Sequence, residues 1–432
     1  MITKQLIDQI EGEASIYFDM KDDVVDFATI SFPHFRGMET ILKEKNALDA
    51  LVITPRICGV CGHSHLMATV RAIEDAYNNA GFPIKLNQKI DSIREFTLIM
   101  EIIQNHFKWI YLTIMPELNK LSKIQKIQTP LKGAFAASIA SKAIALFAGQ
   151  WPHSSYMIPG GITTDPTNIE ILKADSYIDE LITFFEKESI GISIEKFLSF
   201  KSSKDFKILD SDISYLEHSL MNLKMNKKGF SYDRFLVIGK HIFTKPSLLK
   251  QTRHYKINQK FVNTVISYSP NEISYARNAQ YKESFYETGP LARTISSNFP
   301  IIKNMHRYFK DSAYTRIMAR VFELANLLKQ AKDILKTIDI SQTSFNKVLD
   351  ISKISASGVG VVEAPRGPLL HKITIEKGII KEYNVVTPTQ FNIGSSKKSN
   401  LTPAQKAMRG LSKKEALFVF RTFDVCSVCT TH

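Results

Sequence analysis

All four cysteines of the 432-residue chain lie in two C-x-x-C pairs, Cys58-Gly59-Val60-Cys61 near the start and Cys426-Ser427-Val428-Cys429 near the end. A C-x-x-C turn aims two soft thiolates at one point, so each pair can supply two ligands to a metal. Two pairs from opposite ends of the chain imply one four-thiolate site, buried where the ends meet. Soft thiolates select late first-row metals over calcium or magnesium. A structural zinc staple uses the same donor set, although its pairs usually sit close together in sequence with a small domain wrapped around them. A pair of redox dithiols also fits the spacing, but the second pair stands in an odd place for a thioredoxin-like turn.

The flanking residues narrow the choice. Arg56 and His65 complete R-x-C-G-x-C-x-x-x-H around the first pair, and Asp424 and His432 complete D-x-C-x-x-C-x-x-H around the second. This paired signature resembles the large, catalytic subunit of nickel–iron hydrogenases, and the resemblance runs from about residue 7 to the end. The residues after each pair are most similar to the cytoplasmic uptake and hydrogen-sensing branch.

The resemblance implies a set of roles. Cys58 and Cys426 would be terminal nickel ligands. Cys61 and Cys429 would bridge nickel to an iron carrying one carbonyl and two cyanides. Glu363-Ala364-Pro365-Arg366-Gly367 matches the block in which the arginine, here Arg366, overhangs the open nickel position beside one cyanide. Pro388-Thr389 matches the segment whose hydroxyl donates to the other cyanide. Asp424 would pair with Arg366, and His65 would hydrogen-bond a bridging sulfur. Glu11, in Ile10-Glu11-Gly12, resembles the family's proton-accepting glutamate, although Gln9 and Glu13 stand where the family has arginine and histidine. Glu39, the Val385 carbonyl and His432 would hold magnesium, which keeps several waters and needs few protein ligands. Glu117 stands near a canopy aspartate of the family, and Val425 replaces a common proline. Tyr286 to Arg293 (Y-E-T-G-P-L-A-R) resembles a further family block with no role attached.

The implied function is heterolytic cleavage of H2 into protons and electrons, run mainly as H2 uptake; a hydrogen sensor with the same metal site and low turnover is the alternative. With every cysteine committed, the electrons require a separate iron–sulfur small subunit, giving an obligate heterodimer that can associate further. A maturation protease and nickel-insertion factors are the other implied partners. The quinone-site subunit of respiratory complex I shares the ancestry but lacks the four thiols, so their presence argues against it.

Composition adds bounds. The chain is 44% hydrophobic and 23% charged, which suits a globular protein with a large core. Its net charge of +14 is spread through lysine-rich loops such as 201–228 and 397–414, with no aromatic-interleaved basic motif of a nucleic-acid module. No continuous apolar run reaches the length of a membrane span. The N-terminus lacks a signal-peptide h-region. Together these suggest a cytoplasmic protein, or one held at a membrane surface through a partner.

The elements that must position the site read as follows. Residues 7–31 alternate like strands with a turn at Lys21-Asp22-Asp23, and 36–52 and 64–79 have helical character. Ile93, Phe96, Met100, Ile103, Phe107, Ile110 and Ile114 form one face of a long helix ending near Pro116. Ile317, Val321, Leu324, Leu328, Ala331 and Leu335 form a second. Residues 134–148 and 169–187 read as further helices. Residues 195–270 read as peripheral, with short strands such as 234–238. Ile373 to Val385 suggest a hairpin, Gly358-Val359-Gly360 is no dinucleotide fingerprint, and 403–418 reads as a helix leading into the last cysteines. The expected fold is mainly α with small β elements (α+β): a central bundle of long helices, with the N- and C-terminal segments meeting at a buried metal site. One domain, 1–432, would comprise 1–85 with the first cysteine motif, a helical core over 86–340, and 341–432 with the second motif.

Overall fold

The computed structural model describes residues 2–7, 12–122, 130–237 and 262–429. Strands β1 (Ile2–Ile7), β2 (Ala14–Lys21) and β3 (Val24–Ser31) form an antiparallel sheet in that order. The expected turn is there: Asp22 and Asp23 both take positive φ, 50° and 61°, matching the twist of the strands they join. The strand β1 lies before the stretch that read as extended.

Between the sheet and the first cysteines the expected helix over 36–52 breaks into short pieces, Met38–Leu42, Ala47–Asp49, Ala50–Ile53 and Thr54–Ile57. Glu44 at φ 61° interrupts it, and Asn46 starts the next turn by accepting from the Leu48 N–H.

The helices that build the core are α1 (Gly62–Asn79), α2 (Gln88–Lys108), α3 (Pro130–Ala148), α4 (Asn168–Phe184), α5 (Pro290–Ser296) and α6 (Ala313–Leu335). α2 packs between α3 and α6, and α3 packs against α4. α2 carries more than one buried face: from Ser92 to Phe107 every residue is buried, so its polar side chains must find partners inside the protein. Pro116 does not end the helical path. A π-helical turn, Trp109–Ile114, leads into Met115–Leu121, and Pro116 sits in the first turn of that piece, where its missing N–H is not needed. Among the described residues, Leu131–Ala148 of α3 is long and apolar enough to cross a membrane, but half of it is buried against the protein, as in a core helix.

The expected hairpin is part of a three-stranded antiparallel sheet, β4 (Ala356–Ala364), β5 (Gly367–Glu376) and β6 (Ile379–Val386). Ala364 pairs with Gly367, so Pro365-Arg366 is the two-residue turn between β4 and β5. β4 lies tight against α1. A Cβ on Gly358 or Gly360 would run into the Ala72 or Ala68 carbonyl, which explains the Gly-x-Gly pair as a close approach of backbones. The strand expected over 234–238 is a single bridge, Phe235 to Glu287, and residues 238–261 lie outside the described residues. The chain closes through α7 (Pro388–Asn392), α8 (Pro403–Met408) and α9 (Lys413–Arg421). Gly410 at φ 79° separates the last two, which had read as one helix.

Candidate metal centre

Cys58 ends the turn Thr54–Ile57 in extended backbone, and Cys61 is the N-cap of α1. Cys426 precedes the turn Ser427–Cys429, and Cys429 ends it. The fold brings these two turns into one buried cluster, with Val60 and Val428 packed against it. The Cys58 and Cys426 sulfurs are 3.6 Å apart, those of Cys61 and Cys429 3.6 Å, and those of Cys426 and Cys429 3.0 Å. All four are free thiols. Burial acts to raise the Cys426 thiol, but the neighbouring sulfurs and the Arg366 guanidinium hold it well below the ordinary range. Contact with Cys426 pushes Cys61 and Cys429 well above it. Four sulfurs sharing one dry site cannot all ionise unless a cation joins them, which is the chemistry of a thiolate metal centre.

Arg366 reaches over this cluster from its turn. Its Nε donates to the Asp424 carbonyl at 3.0 Å, and its Nη2 lies 3.2 Å from Asp424 Oδ1. Asp424, at φ 57°, also accepts from Arg320 Nη1 at 2.6 Å. Burial acts to raise the Asp424 carboxyl, and the two guanidiniums reverse this and hold it below the usual range. Arg320 lies on α6 and is itself stacked 4.2 Å over Trp109. Sequence reasoning missed it, because it hides among the apolar residues of a core helix. Glu117 pairs with Lys120 at 2.8 Å and Arg421 at 3.5 Å.

Beside the cluster, two buried donors, Arg366 Nη1 and Thr389 Oγ1, have no protein partner among the described residues. Thr389 lies on α7, which packs against the second cysteine turn; there Thr387 Oγ1 donates to the Cys429 carbonyl at 2.5 Å. A buried donor left unsatisfied costs about 1–3 kcal/mol. A zinc ion saturated by four thiolates brings no further acceptor to quiet them. An iron carrying acceptor ligands does, so the residues present fit a nickel–iron centre.

His65, in the first turn of α1, turns its Nδ1 to His371 Nε2 at 3.0 Å, and His371 Nδ1 meets the Tyr383 hydroxyl at 2.7 Å. Pro365 presents its carbonyl to Arg293 Nη2 at 3.1 Å, and Pro388 opens α7. Glu39 and Val385 come together, the Val385 N–H donating to Glu39 Oε1 at 2.7 Å, beside a cleft of about 310 Å³ lined also by Arg277 and Gln390. Glu11 and His432 lie outside the described residues. Gly12, next to Glu11, is described: a Cβ there would lie 2.8 Å from Ser427 Oγ, so this segment runs against the second cysteine turn.

Sequence reasoning also missed Glu101. This α2 carboxylate accepts the first-turn N–H groups of α1 from His63 at 2.9 Å and Ser64 at 3.0 Å, and the Ser64 hydroxyl. Burial pushes its pKa up to about 8, partly offset by those donors. The available signal was a carboxylate beside Met100, a residue of the apolar stripe.

Comparison with known proteins agrees with the geometry. The nickel-dependent hydrogenase family matches residues 36–115 and 127–432. The chain is 25% identical to the alpha chain of sulfhydrogenase 2 from Pyrococcus furiosus, over 92% of this chain and 90% of that one. It is 24% identical to the large subunit of the periplasmic NiFeSe hydrogenase from Desulfomicrobium baculatum, over 89% and 84%. Its fold superposes on the reduced Ni-Fe-Se hydrogenase of D. vulgaris Hildenborough with a TM-score of 0.81 at 21% identity, each chain covered in full. The chain belongs to the nickel-dependent hydrogenase family, as a large subunit built around a nickel–iron centre.

Proposed function

We propose that this chain is the catalytic subunit of a hydrogenase working mainly in H2 uptake, with electrons passing to an iron–sulfur small subunit. Cys58 and Cys426 would hold nickel alone, and Cys61 and Cys429 would bridge it to an iron bearing one carbonyl and two cyanides. The observation that carries this reading is the pair of buried donors, Arg366 Nη1 and Thr389 Oγ1, that have no partner among the described residues and lie beside the four thiolates. When bound, the centre polarises H2 so that it splits heterolytically.

The chain's own residues supply the rest. Asp424 holds the Nε–Nη2 edge of the Arg366 guanidinium and leaves Nη1 directed elsewhere, and Arg320 holds Asp424. Burial around Val60 and Val428 keeps water out, which strengthens each of these interactions. Glu11 would take the proton beside a terminal cysteine, a role a carboxylate can fill as a general base. The contact of Gly12 with Ser427 supports that placement. His65 would tune a bridging sulfur, and its tie to His371 fixes its ring. Glu39, the Val385 carbonyl and His432 would hold magnesium, a reading supported by the Glu39–Val385 contact.

The test is a metal count on the purified heterodimer with H2-driven dye reduction on the same sample. Nickel together with fast reduction supports an uptake enzyme. Nickel with very slow reduction indicates a sensor. Zinc without nickel, in a sample matured with its accessory factors, overturns the reading.

A further inference from the structure

Arg366 sits on a two-residue turn, and Asp424 grips its side chain from above. The backbone of that turn is held from below by the Y-E-T-G-P-L-A-R block, to which the sequence assigned no role. Arg293, the last residue of the block, is fully buried on α5. Its Nε and Nη2 donate to the two Glu323 oxygens at 2.6 and 2.8 Å. Its Nη1 donates to Glu363 at 3.0 Å and to the Ala364 carbonyl at 2.9 Å, and its Nη2 also donates to the Pro365 carbonyl at 3.1 Å. All five N–H groups of the guanidinium are therefore used, and three of them end on the consecutive residues Glu363, Ala364 and Pro365.

The rest of the block closes on the same corner. Gly289, at φ 103°, lies so near that a Cβ would stand 2.8 Å from the Arg366 carbonyl, and Thr288 Oγ1 donates to that carbonyl at 3.4 Å. Glu323, on α6, also meets His106 of α2 at 2.8 Å, so the clamp is anchored to both long helices.

We propose that Arg293 is a positioning residue: by fixing residues 363–365 it sets the direction in which Arg366 presents its remaining donor to the metal centre. A lysine cannot replace it, because three donors on one nitrogen cannot span a carboxylate pair and two carbonyls lying in the plane of a guanidinium. The inference rests on the reading that cyanide ligands face Arg366.

The test is the infrared spectrum of the mature heterodimer in the cyanide stretching region, with nickel content and Tm on the same samples. Arg366→Lys identifies the cyanide band that Arg366 addresses. Arg293→Lys is expected to retain nickel and to shift that same band by more than its line width, leaving the other in place. Glu363→Gln, which keeps an amide acceptor, is expected to shift it less. If Arg293→Lys does not accumulate, Glu363→Gln decides by the same criterion. A lowered Tm with both bands unmoved would overturn the proposal and make Arg293 purely structural. A wild-type spectrum without cyanide bands would instead overturn the metal reading beneath it.

Discussion

Arg316 and Arg366 are both buried, and both lean on acidic residues, yet they are finished differently. Arg316 donates to both Glu287 oxygens at 2.7 and 2.9 Å, to the Asp311 and Gly229 carbonyls at 2.9 and 3.3 Å, and to Thr422 Oγ1 at 3.2 Å. Arg293 is equally complete. Arg366, one layer nearer the thiolates, keeps Nη1 without a partner among the described residues, and Thr389 does the same with its hydroxyl. The guanidiniums of Arg293 and Arg316 are closed on protein acceptors, whereas beside the thiolates Arg366 and Thr389 leave donors open, at a cost that a bound group would remove.

That contrast can be broken in order of expected effect. Cys429→Ser should abolish nickel loading and with it all H2-dependent dye reduction; retained nickel would show that the fourth thiolate is not a ligand. Arg366→Lys should keep the metals and slow turnover by about 100-fold or more, as loss of a well-placed donor does. Unchanged turnover would remove Arg366 from the reaction. In the Arg293 network, Glu323→Ala removes the two-oxygen partner of Arg293 and leaves Glu363 as its remaining carboxylate, and should cost about 3 kcal/mol in denaturant unfolding, whereas a loss near zero would deny that the network holds the core.

The acid side of the stability curve offers a further check. Burial lowers the pKa of His106 from 6.5 to about 4, against the opposing pull of Glu323. A base held neutral in the fold contributes stability that is complete above pH 6.5 and is lost as the pH falls towards 4. His106→Gln should therefore flatten the fall of Tm between those limits; identical slopes would contradict the assignment. The smallest effect separates two neighbouring threonines. Thr387→Val loses a bond to the Cys429 carbonyl and should cost about 1 kcal/mol, while Thr389→Val loses no protein partner and should leave the unfolding free energy of metal-free protein within about 0.5 kcal/mol.

The four cysteines and the two long helices were legible because each is a local pattern, a fixed spacing or an apolar stripe, whereas the Glu363–Gly367 block stood out only by its resemblance to the family. What escaped the sequence depends on partners far along the chain. Spacing places Arg320 on α6 but cannot say that it meets Asp424 or stacks on Trp109. The stripe on α2 shows one apolar face and hides that the opposite face is buried too, with Glu101 capping α1 and His106 meeting Glu323. Pro116 looked like a stop because its tolerance in a first helical turn depends on the π-helical turn before it. Gly358 and Gly360 were visible as a pair, but their reason is the α1 backbone lying against them.

The most direct test is the infrared spectrum of the purified heterodimer, recorded for wild type, Arg366→Lys and Thr389→Val. One carbonyl band and two cyanide bands are expected, with each substitution moving a different cyanide band and leaving its partner in place. Bands that ignore both substitutions, or a zinc-loaded protein with no such bands, would contradict the claim that these open donors serve ligands on an iron.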